Sequence, residues 1–506
     1  MDYGFTMRYL RYLLVTVLVL VLGLAVVAVY IAATFDPNAY KPQIIRLVQE
    51  KKQRTLKLDG DIKLAFWPDL GADLGRLSLS EFKSDLEFAA VENARVSLAL
   101  MPLLSKELVV NEVTIKGLRA NIVRFKDGST NIDDLLARDD QKQEQFKFDI
   151  DHVAIENAAL DFRDEAKGVQ YLLSNINLKT GRIANGVPAK VALSLAIQGN
   201  QPKLSLEAVF KTRLTFERDK QIYTLENIEL EARGQAAELN NLAAKVTGKL
   251  AARLKTSEFT ADKLSVAMTG VSGKNNLDIR LDAPRLDFTN EKASGDKVAL
   301  AARISNPQGS ISANLSLPGI DGTARSFKSD AMMLDLDMKQ GDLTVKAKVS
   351  SPLSGSLEAR QVNLSRLTAS VSASGPSLAG KGVSGEFAGS ANIDGAKQNA
   401  QSSLAGKIAE SNVKAHISMA NFAAPVISFD VDIDQLDADR YLPPKSASAR
   451  KPPEQPFDLS ALKSLRANGT LRIGSLKASG VKATNVRFDI QADSGRGPDG
   501  PVRASR

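Results

Sequence analysis

The stretch EVTIKGLRANIVRFKDGSTN, residues 112–131, alternates apolar and polar side chains and then ends in turn-forming residues. Successive side chains of an extended strand point to opposite faces of a sheet, so Val113 and Ile115 share one face. Asp127 and Gly128 are residues that tight turns favour, and Asn131 is suited to cap a short helix after the turn. The stretch therefore predicts a strand, a hairpin turn and an Asn-capped helical turn.

The same pattern returns forty residues later, where Val153 and Ile155 repeat the spacing of Val113 and Ile115. After a break near Asn157 a second alternating run begins. Further runs follow between turn-forming residues, and four examples are Val191, Leu193 and Leu195; Leu264, Val266 and Met268; Leu343, Val345, Ala347 and Val349; and Ile427, Phe429, Val431 and Ile433. This recurrence predicts a mostly β protein with a long, curled antiparallel β-sheet. Short helices are expected only near residues 42–52, 131–138 and 459–465.

The composition of the chain excludes several classes of structure and function. The chain has 506 residues, more than one ordinary hydrophobic core accommodates, and 43% apolar with 25% charged residues excludes wholesale disorder. Basic and acidic residues are interspersed, with a net charge of +8. Because no basic helix or aromatic-basic platform is present, we do not expect nucleic acid as a partner. The absence of cysteine excludes disulfides, Cys-ligated zinc and thiol nucleophiles.

Residues that could form a catalytic or metal site are few. The chain has two histidines, His152 and His416, and both are expected at surface positions of strands. Asp430, Asp432 and Asp434 alternate along one predicted strand, so they spread along its wet face instead of surrounding a calcium ion. We predict no metal site.

Residues 375–382, GPSLAGKG, imitate a phosphate-binding loop. They have Gly where Ser or Thr would hold magnesium, and no helical pattern follows. We therefore predict no cofactor and no catalytic residues, and we do not expect an enzyme.

An apolar stretch near the start of the chain predicts a membrane helix. Residues 13–35 carry no charge and are long enough as a helix to cross a hydrocarbon core of about 30 Å. Tyr9, Tyr12 and Tyr30 mark its two ends, as membrane-interface aromatics do. A cleaved signal peptide is the alternative, but the stretch is long and no clear A-x-A site follows it.

The next segment, residues 42–52, predicts an amphipathic helix, opened by Pro37 or Pro42. An apolar stripe runs beside a basic face, and its members are Tyr40, Ile44, Ile45, Leu47 and Val48. Such a helix would lie on a membrane surface or plug one end of a sheet.

Three later regions depart from the alternating pattern. Residues 375–409 are rich in Gly, Ser and Ala, so their strands have little to bury and are expected to be loose or sharply bent. Residues 443–456, PPKSASARKPPEQP, predict a basic Pro-rich loop, after which strands resume over residues 457–495. Residues 496–506 show no periodicity, and we expect a truncated or aberrant tail there.

Three passages resemble the AsmA family of Gram-negative envelope proteins. They are FDPNAYKPQIIRLVQEKKQRTLKLDGDIKLAFWPDLGADLGRLSLSE at 35–81, ARVSLALMPLLSKELVVNEVTIKGLRANIVRFKDGSTNIDDLL at 94–136 and PFDLSALKSLRANGTLRIGSLKASGVKATNVRFDIQA at 456–492. In that family a membrane helix is followed by a short helix, a threonine-containing first strand and a hairpin ending in Trp-Pro, here Trp67 and Pro68. Since the likeness covers both ends of the chain, the chain looks like a member of this family.

The resemblance implies a domain order and an orientation. Residues 1–12 would be cytoplasmic, residues 13–35 an inner-membrane helix and residues 36–442 a periplasmic domain of repeated β-grooves, similar to bridge-like lipid transfer proteins. Five basic residues closely follow the span and two precede it, and this count by itself favours a cytoplasmic location for the bulk of the chain. The periplasmic orientation therefore depends on the resemblance.

The alternation leaves one face of the sheet apolar, and two arrangements can cover that face. A twisted sheet can curl over its own apolar face and leave a groove for acyl chains, or two sheets can pack as a sandwich. Periodicity leaves both arrangements open, and the resemblance favours the groove. The candidate groove-lining residues are Val113, Ile115, Val153, Ile155, Val191, Leu193 and Leu195.

The resemblance thus implies an inner-membrane-anchored protein of outer-membrane biogenesis that carries phospholipids between the two membranes. A membrane-anchored scaffold that assists outer-membrane protein assembly without lipid cargo is the alternative. The expected partners are phospholipid, the inner membrane and an outer-membrane or periplasmic protein.

Overall fold

A computed structural model describes residues 36–65, 70–99, 110–136, 149–256, 258–289, 292–323, 325–376, 378, 382–422, 425–440, 466–478 and 480–492. The predicted cytoplasmic segment 1–12, the span 13–35 with Tyr9, Tyr12 and Tyr30, the Pro-rich loop 443–456, the helix near 459–465 and the tail 496–506 lie outside these residues and stay predictions. Within the described ranges, no helix is long and apolar enough to cross a bilayer. Contacts within the chain define two compact units, Met1–Phe216 and Glu217–Arg506, here called unit 1 and unit 2.

Unit 1 contains two short helices and the strands β1 to β13. Its helices are α1 (Lys41–Lys52), preceded by a 3-10 turn at Pro37–Tyr40, and α2 (Asp133–Leu136). Its strands are β1 (Leu56–Leu58), β2 (Lys63–Ala65), β3 (Leu70–Asp73), β4 (Leu77–Ser80), β5 (Glu87–Val91), β6 (Asn93–Leu98), β7 (Val110–Lys116), β8 (Arg119–Arg124), β9 (Asp149–Asp164), β10 (Val169–Thr180), β11 (Ile183–Ala184), β12 (Ala189–Asn200) and β13 (Lys203–Glu217).

Unit 2 contains the strands β14 to β30 and 3-10 turns at Leu254–Thr256 and Ala438–Arg440. Its strands are β14 (Ile222–Ala236), β15 (Leu239–Arg253), β16 (Glu258–Ser272), β17 (Asn275–Phe288), β18 (Ala293–Gly295), β19 (Val298–Asn306), β20 (Gly309–Leu317), β21 (Ile320–Gly322), β22 (Phe327–Gln340), β23 (Leu343–Ser356), β24 (Gln361–Ser374), β25 (Val383–Asp394), β26 (Asn399–Ile408), β27 (Ser411–Ala420), β28 (Val426–Asp437), β29 (Arg466–Ala478) and β30 (Val481–Ala492). The predicted mostly β fold with few short helices is confirmed.

Helix α1 confirms the predicted amphipathic helix. Pro42 lies in its first turn, where a missing N–H costs little, and Gln53 ends it in a left-handed conformation with φ of 53°. Asn38 exchanges two hydrogen bonds with the backbone of Ile62, and the carbonyl of Gln53 accepts one from the N–H of Lys83. These bonds tie both ends of α1 to the sheet of unit 1.

The central strand of unit 1 is β9. β7 runs parallel to its first half and β8 to its second half, while β10, β12 and β13 follow in antiparallel order on its other side. Beyond β7 lie β6, β3 and β2, and beyond β8 lie β5, β4 and β1. All strands described in unit 1 therefore belong to one sheet, and no second sheet among them forms a sandwich with it.

A bend crosses the strands of unit 1. Gly117 separates β7 from β8 with φ of 63°, and Asn157 and Asn175 interrupt β9 and β10 with φ of 52° and 50° at register shifts. A bulge adds one residue to a strand, so the residues that face one side change from odd to even numbers across it. Ile155 before the bend and Leu160 after it therefore share a face. The break seen in the sequence near Asn157 is this bulge.

Unit 2 is built in the same way from one described sheet. From β14 to β28 neighbouring strands are antiparallel, with the short strands β18 and β21 inserted between β17 and β22. Asn227, Gly248 and Lys263 have positive φ near the register shifts of β14 to β16. The strands of this unit therefore bend at a line of bulges as well.

The buried core of unit 2 lies beside its bulges. The rings of Phe288 and Phe327 meet edge to face, with centroids 6.2 Å apart. Between them in the register lie Ala293, which has no exposed surface, and Gly322. Small residues on the two middle strands leave room for the rings to meet above them. The cluster is completed by Leu353, Leu364 and Leu367.

One end of unit 1 contains a buried guanidinium, that of Arg54, which has no exposed surface. It donates to the carboxyl oxygens of Asp134 at 2.7 and 2.6 Å and to the carbonyls of Ser80 and Asn131. Its carbon lies 4.8 Å from the ring centroid of Phe88. These hydrogen bonds hold the pKa of the Asp134 carboxyl below its usual range. A buried charge is tolerated when it is paired and fully hydrogen-bonded, and all three nitrogens of Arg54 have partners.

The sheet is not antiparallel throughout, which corrects the prediction. After β8 the chain turns at Asp127 and Gly128, passes through α2 and returns as β9, parallel to both β7 and β8. β28 and β29 are also parallel, and residues 441–465 connect them. A parallel neighbour needs a crossover of this kind, and alternation alone does not reveal one because its period is the same in both arrangements.

Asn131 does not cap α2, contrary to expectation. Its side chain accepts a hydrogen bond from the N–H of Val123 and donates one to the carbonyl of Asn121, both at 2.9 Å. Thr130 and Asp133 bond to each other at the start of the helix instead. Asn131 is buried and joins the turn to β8, so it belongs to the network around Arg54.

Candidate functional site

One face of unit 1 carries a continuous row of apolar side chains across six strands. Each residue lies directly opposite the next one on the neighbouring strand, where side chains on the same face touch. From β6 to β13 the members of this first row are Ala94, Ile115, Ile155, Leu178, Leu193 and Phe210. All are half-buried. At a strand spacing of about 4.8 Å the row runs roughly 24 Å, whereas half a hydrocarbon core is about 15 Å thick.

A second row crosses eight strands on the other side of the bend. Its members are Leu56, Leu79, Ala89, Ala120, Leu160, Leu173, Ile197 and Leu206. β12 pairs with β13 without a bulge, and Leu193 and Ile197 lie four residues apart on it, so the two rows face the same side. Unit 1 therefore has one apolar face that continues through the bend.

The structure brings the seven candidate lining residues together on this face. Ile115, Ile155 and Leu193 belong to the first row, and the other four lie beside it on β7, β9 and β12. The lining prediction did not include Leu178 and Phe210, which complete the row. The alternation within their own strands was the available signal, but only the pairing shows that they stand between and beyond the candidates.

Unit 2 carries a longer row of the same kind across fifteen strands, roughly 67 Å at the same strand spacing. Its members are Leu230, Val246, Val266, Leu281, Leu300, Leu315, Leu334, Val349, Ala369, Phe387, Gly406, Val413, Ile433, Ile473 and Val486. β25 and β26 were expected to be loose or sharply bent, yet they pair without interruption. Backbone hydrogen bonds do not depend on large side chains, so Gly, Ser and Ala leave the ladder intact.

Some glycines of the apolar faces lie under aromatic rings. Gly406 is opposite Phe387 in the register, and a Cβ on Gly406 would stand 2.6 Å from a ring carbon of Phe387. The arrangement recurs with Tyr171 over Gly199, at 2.7 Å, and with Phe429 over Gly469, at 2.5 Å. A ring that lies against a glycine does not project from the sheet, so the apolar face above it stays open.

The opposite face of both sheets is charged. In unit 1, Lys116 of β7 and Glu156 of β9 pair at 3.2 Å. In unit 2, Lys245 of β15 and Glu231 of β14 pair at the same distance. These pairs are solvent-exposed and therefore contribute little to stability, but they keep this face in water.

The three aspartates of β28 lie on this charged face, as predicted. Asp430 and Asp432 both accept hydrogen bonds from the guanidinium of Arg472 on β29, and Asp434 accepts two from Asn412 at 2.7 and 2.6 Å. The hydrogen bond from Arg472 lowers the pKa of Asp432. The carboxylates are thus spread along a strand and engaged by neighbouring strands.

The two histidines lie on strands, as predicted. Nδ1 of His152 on β9 is 2.7 Å from the carbonyl oxygen of Thr180, and Nδ1 of His416 on β27 is 2.8 Å from Oγ of Ser403. Among the described residues, no three side chains of the types that ligate metals cluster together.

The cavities that open on the charged side include the following two. One of about 1130 Å³ lies over β22 to β27, and its lining includes Lys348, Glu386 and Lys407 beside the apolar Met333 and Phe387. Another of about 290 Å³ in unit 1 is lined almost wholly by polar residues of β3, β6, β7, β9 and β10. The lining of the 1130 Å³ cavity also includes Val349, Ala369 and Val413 of the unit 2 row, whereas the 290 Å³ cavity contains no row residue. The rows extend well beyond both cavities, so the candidate site is the extended apolar surface and not a single pocket.

Comparison with known proteins gives two matches. A family model described as the AsmA family matches residues 7–472. The protein of Escherichia coli (strain K12) described as Protein AsmA is 28% identical over 178 residues, which are 34% of this chain and 28% of that protein. The aligned region thus spans less than a third of the relative's length. No solved structure matches the chain.

Proposed function

Since the chain belongs to the AsmA family, we propose that it is an envelope protein that carries phospholipid along its apolar face. The observation that carries the proposal is the unbroken register of apolar residues in each unit, from Ala94 to Phe210 in unit 1 and from Leu230 to Val486 in unit 2. A lipid that moves along such a row always has apolar side chains beneath its tails.

The energetic argument concerns the acyl tails. Each methylene that leaves water gains about 0.8 kcal/mol, so exposing two tails with about thirty methylenes costs on the order of 25 kcal/mol. A carrier must therefore keep the tails covered at every step. A continuous row does this because each strand offers the next apolar residue about 4.8 Å away.

Each sheet has one apolar and one charged face, and this difference between the faces supports a role in lipid carriage. Row residues such as Leu193 and Phe210 are half-buried, whereas their chain neighbours Ala192 and Lys211 on the opposite face are exposed. No second described sheet covers the rows, so bound hydrocarbon is a suitable cover for them. Polar headgroups can remain in water at the margin of the face.

We further propose that residues 13–35 anchor the chain in the inner membrane, with the N-terminus in the cytoplasm and both units in the periplasm. The partners would be the lipids of that membrane and an outer-membrane or periplasmic protein that receives the cargo. Catalysis has no part in this proposal, since moving a lipid along a surface changes no covalent bond.

Photo-crosslinking in the cell envelope tests the proposal. A photoreactive amino acid at Leu193 or Phe210 should give phospholipid adducts by mass spectrometry of the purified full chain. The matched positions Ala192 and Lys211, one residue away on the charged face, should give at least tenfold fewer. Equal yields at all four positions, or no lipid at any of them, would contradict lipid carriage. Protein adducts without lipid would favour the scaffold.

A substitution separates carriage from folding. Leu193→Asp places a charge in the middle of the first row, and Ala192→Asp places it on the exposed face of the same strand. We expect Leu193→Asp to abolish lipid adducts at Phe210 while circular dichroism shows an unchanged sheet, and Ala192→Asp to change neither.

A further inference from the structure

The apolar side of α1 is broader than the part that the sheet covers. Ile45 and Val48 face unit 1 and are half-buried. Tyr40, Ile44 and Leu47 form a second stripe at the spacing i, i+4 and i+7, and 47%, 39% and 55% of their surfaces remain exposed. Tyr40 is the last residue of the 3-10 turn, and Ile44 and Leu47 belong to α1. Three large apolar side chains in one exposed stripe indicate a contact outside the described chain.

The charges beside this stripe are mainly positive. Lys41 lies 3.7 Å from Asp61, and Lys52 donates to the carbonyl of Asp134, so both are directed at the sheet. Arg46 and Lys51 are exposed, as is one acidic residue of the helix, Glu50, so the exposed charge of α1 is net positive. An apolar stripe with basic residues at its margin is the pattern of helices that lie in the interface of anionic bilayers.

The stripe cannot turn inward. At the N-terminal end Asn38 is bonded to Ile62, at 2.8 Å in its shorter bond, and at the other end Gln53 is bonded to Lys83 at 2.9 Å. The next residue, Arg54, is buried in its network with Asp134. Because both ends of α1 are tied to unit 1, any partner of the stripe has to approach from outside.

We propose that the stripe Tyr40, Ile44 and Leu47 docks on the surface of a bilayer that contains anionic phospholipid. The predicted membrane span ends at residue 35, two residues before the 3-10 turn that leads into α1, so the stripe would lie close to the bilayer surface. Leu56, the first member of the second apolar row, follows the end of α1 by four residues. Docking would thus place the start of that row beside the lipid source. The proposal does not depend on lipid carriage and holds equally for a scaffold.

The chain has no cysteine, so single labels are straightforward. Ile44→Cys and Leu47→Cys in the full chain carry an environment-sensitive fluorophore in the stripe. Gln49→Cys is the matched control, because it is also exposed and lies about 200° around the helix from Leu47. Each protein is reconstituted into vesicles of phosphatidylcholine, with and without phosphatidylglycerol.

With phosphatidylglycerol present, labels at residues 44 and 47 should shift to the blue and be quenched several-fold more slowly by aqueous iodide than the label at residue 49. Replacing Arg46 and Lys51 by Gln should reduce the difference while circular dichroism stays unchanged. Equal quenching at all three positions would overturn the proposal. So would an equal blue shift in vesicles of phosphatidylcholine alone, or close approach of labels from two copies, which would identify a second chain as the partner. Lipid adducts at Phe210 are measured separately, so the two proposals can fail independently.

Discussion

The two units are stabilised in different ways beside the same kind of apolar face. In unit 1 the buried Arg54 joins the end of α1 to the turn before α2 by charge-assisted hydrogen bonds. In unit 2 an apolar cluster around Phe288 and Phe327 packs beside the bulges. Both devices lie at ends or bends of strands. The rows stay half-buried except at Ile473, which is 2% exposed, and only Val349 and Ala369 of the unit 2 row pack against the apolar cluster. The residues that stabilise each fold are therefore largely distinct from the surface that we propose for lipid.

The two ways of stabilisation follow from the lengths of the strands near Arg54 in unit 1 and near Phe288 in unit 2. The first strands of unit 1 are three to six residues long and cannot bury many large side chains. One polar hub, Arg54 with its partners Asp134, Ser80 and Asn131, therefore joins several of them. The strands of unit 2 beside Phe288 are mostly longer, and their bulges bring apolar ends together. The following substitutions test whether this division of roles is real.

The largest effect is expected from Arg54→Ala. It leaves the Asp134 carboxylate and the carbonyls of Ser80 and Asn131 without their buried donor, and removing one partner of a buried ion pair costs about 4 kcal/mol. Hydrogen exchange of the full chain should lose protection in β4 and β8 and keep it in unit 2. Loss of protection throughout both units would contradict a local role.

The control for this substitution is Arg182→Ala. Arg182 also makes a bidentate pair, with Asp149 at 2.8 and 2.7 Å, but more than half of its side chain is exposed. Exposed pairs contribute less than about 1 kcal/mol. A cost equal to that of Arg54→Ala would show that burial is not what distinguishes the hub.

In unit 2, Leu353→Ala should cost about 3 kcal/mol, because Leu353 is 9% exposed within the apolar cluster and its removal leaves a cavity. Leu315→Ala removes the same atoms from the half-buried row and should cost clearly less. Urea titration followed by hydrogen exchange in β20 and β23 measures both. If Leu315 costs as much as Leu353, the row is part of the core and the comparison fails.

Gly199→Ala should destabilise unit 1 by about 1 to 2 kcal/mol, the usual cost of overpacking, because its Cβ would meet the ring of Tyr171 at 2.7 Å. The ring has to rise from the sheet, so we also expect fewer lipid adducts at a photoreactive residue placed at Ile197. Gly270→Ala is the control, since its Cβ would find ordinary contacts at 3.6 Å or more. Equal effects of the two substitutions would contradict the idea that an aromatic ring packed against a glycine keeps the apolar face open.

The smallest effect is the pH dependence of unit 1. Hydrogen bonds from Arg54 lower the folded pKa of Asp134, so the stability from this pair is fully present above the ordinary carboxyl pKa and is lost as pH falls through the lowered value. Arg54 keeps its two carbonyl partners, so only part of the hub is lost. Thermal melts from pH 5 down to pH 2 should show this decline in the wild-type chain and less of it in Asp134→Asn. If the melting temperature falls equally steeply with pH in both proteins, Asp134 is not responsible for the pH dependence.

Much of the apolar face was accessible from the sequence. Val113, Ile115, Val153 and Ile155 were assigned to one face because alternation is a local property, and the bulge at Asn157 appeared as a break in it. The pairing of β7 with β9 was not accessible, since a strand with this pattern can accept a parallel or an antiparallel neighbour. The position of β10 between β9 and β12 was not accessible either, so Leu178 was missed although its own strand alternates.

Arg54 was the largest omission at the residue level. In the sequence it was one of several basic residues after an apolar span, and nothing near it indicates burial. Its partners Ser80, Asn131 and Asp134 are 26 to 80 residues away, so only the folded chain brings them to it. Asn131 was misread for the same reason, because its side chain serves β8 and the hub instead of the helix that follows it.

The sequence by itself determined that this protein belongs to the AsmA family, that it is mostly β with strands apolar on one face, and that a basic amphipathic helix precedes its first strand. It could do so because side-chain periodicity and turn-forming residues are local properties of the chain. The tertiary structure alone decided which strands are neighbours, where the rows run and which charges are buried. These features depend on contacts between residues far apart in the chain, and the free energy of such contacts is set only when the strands meet.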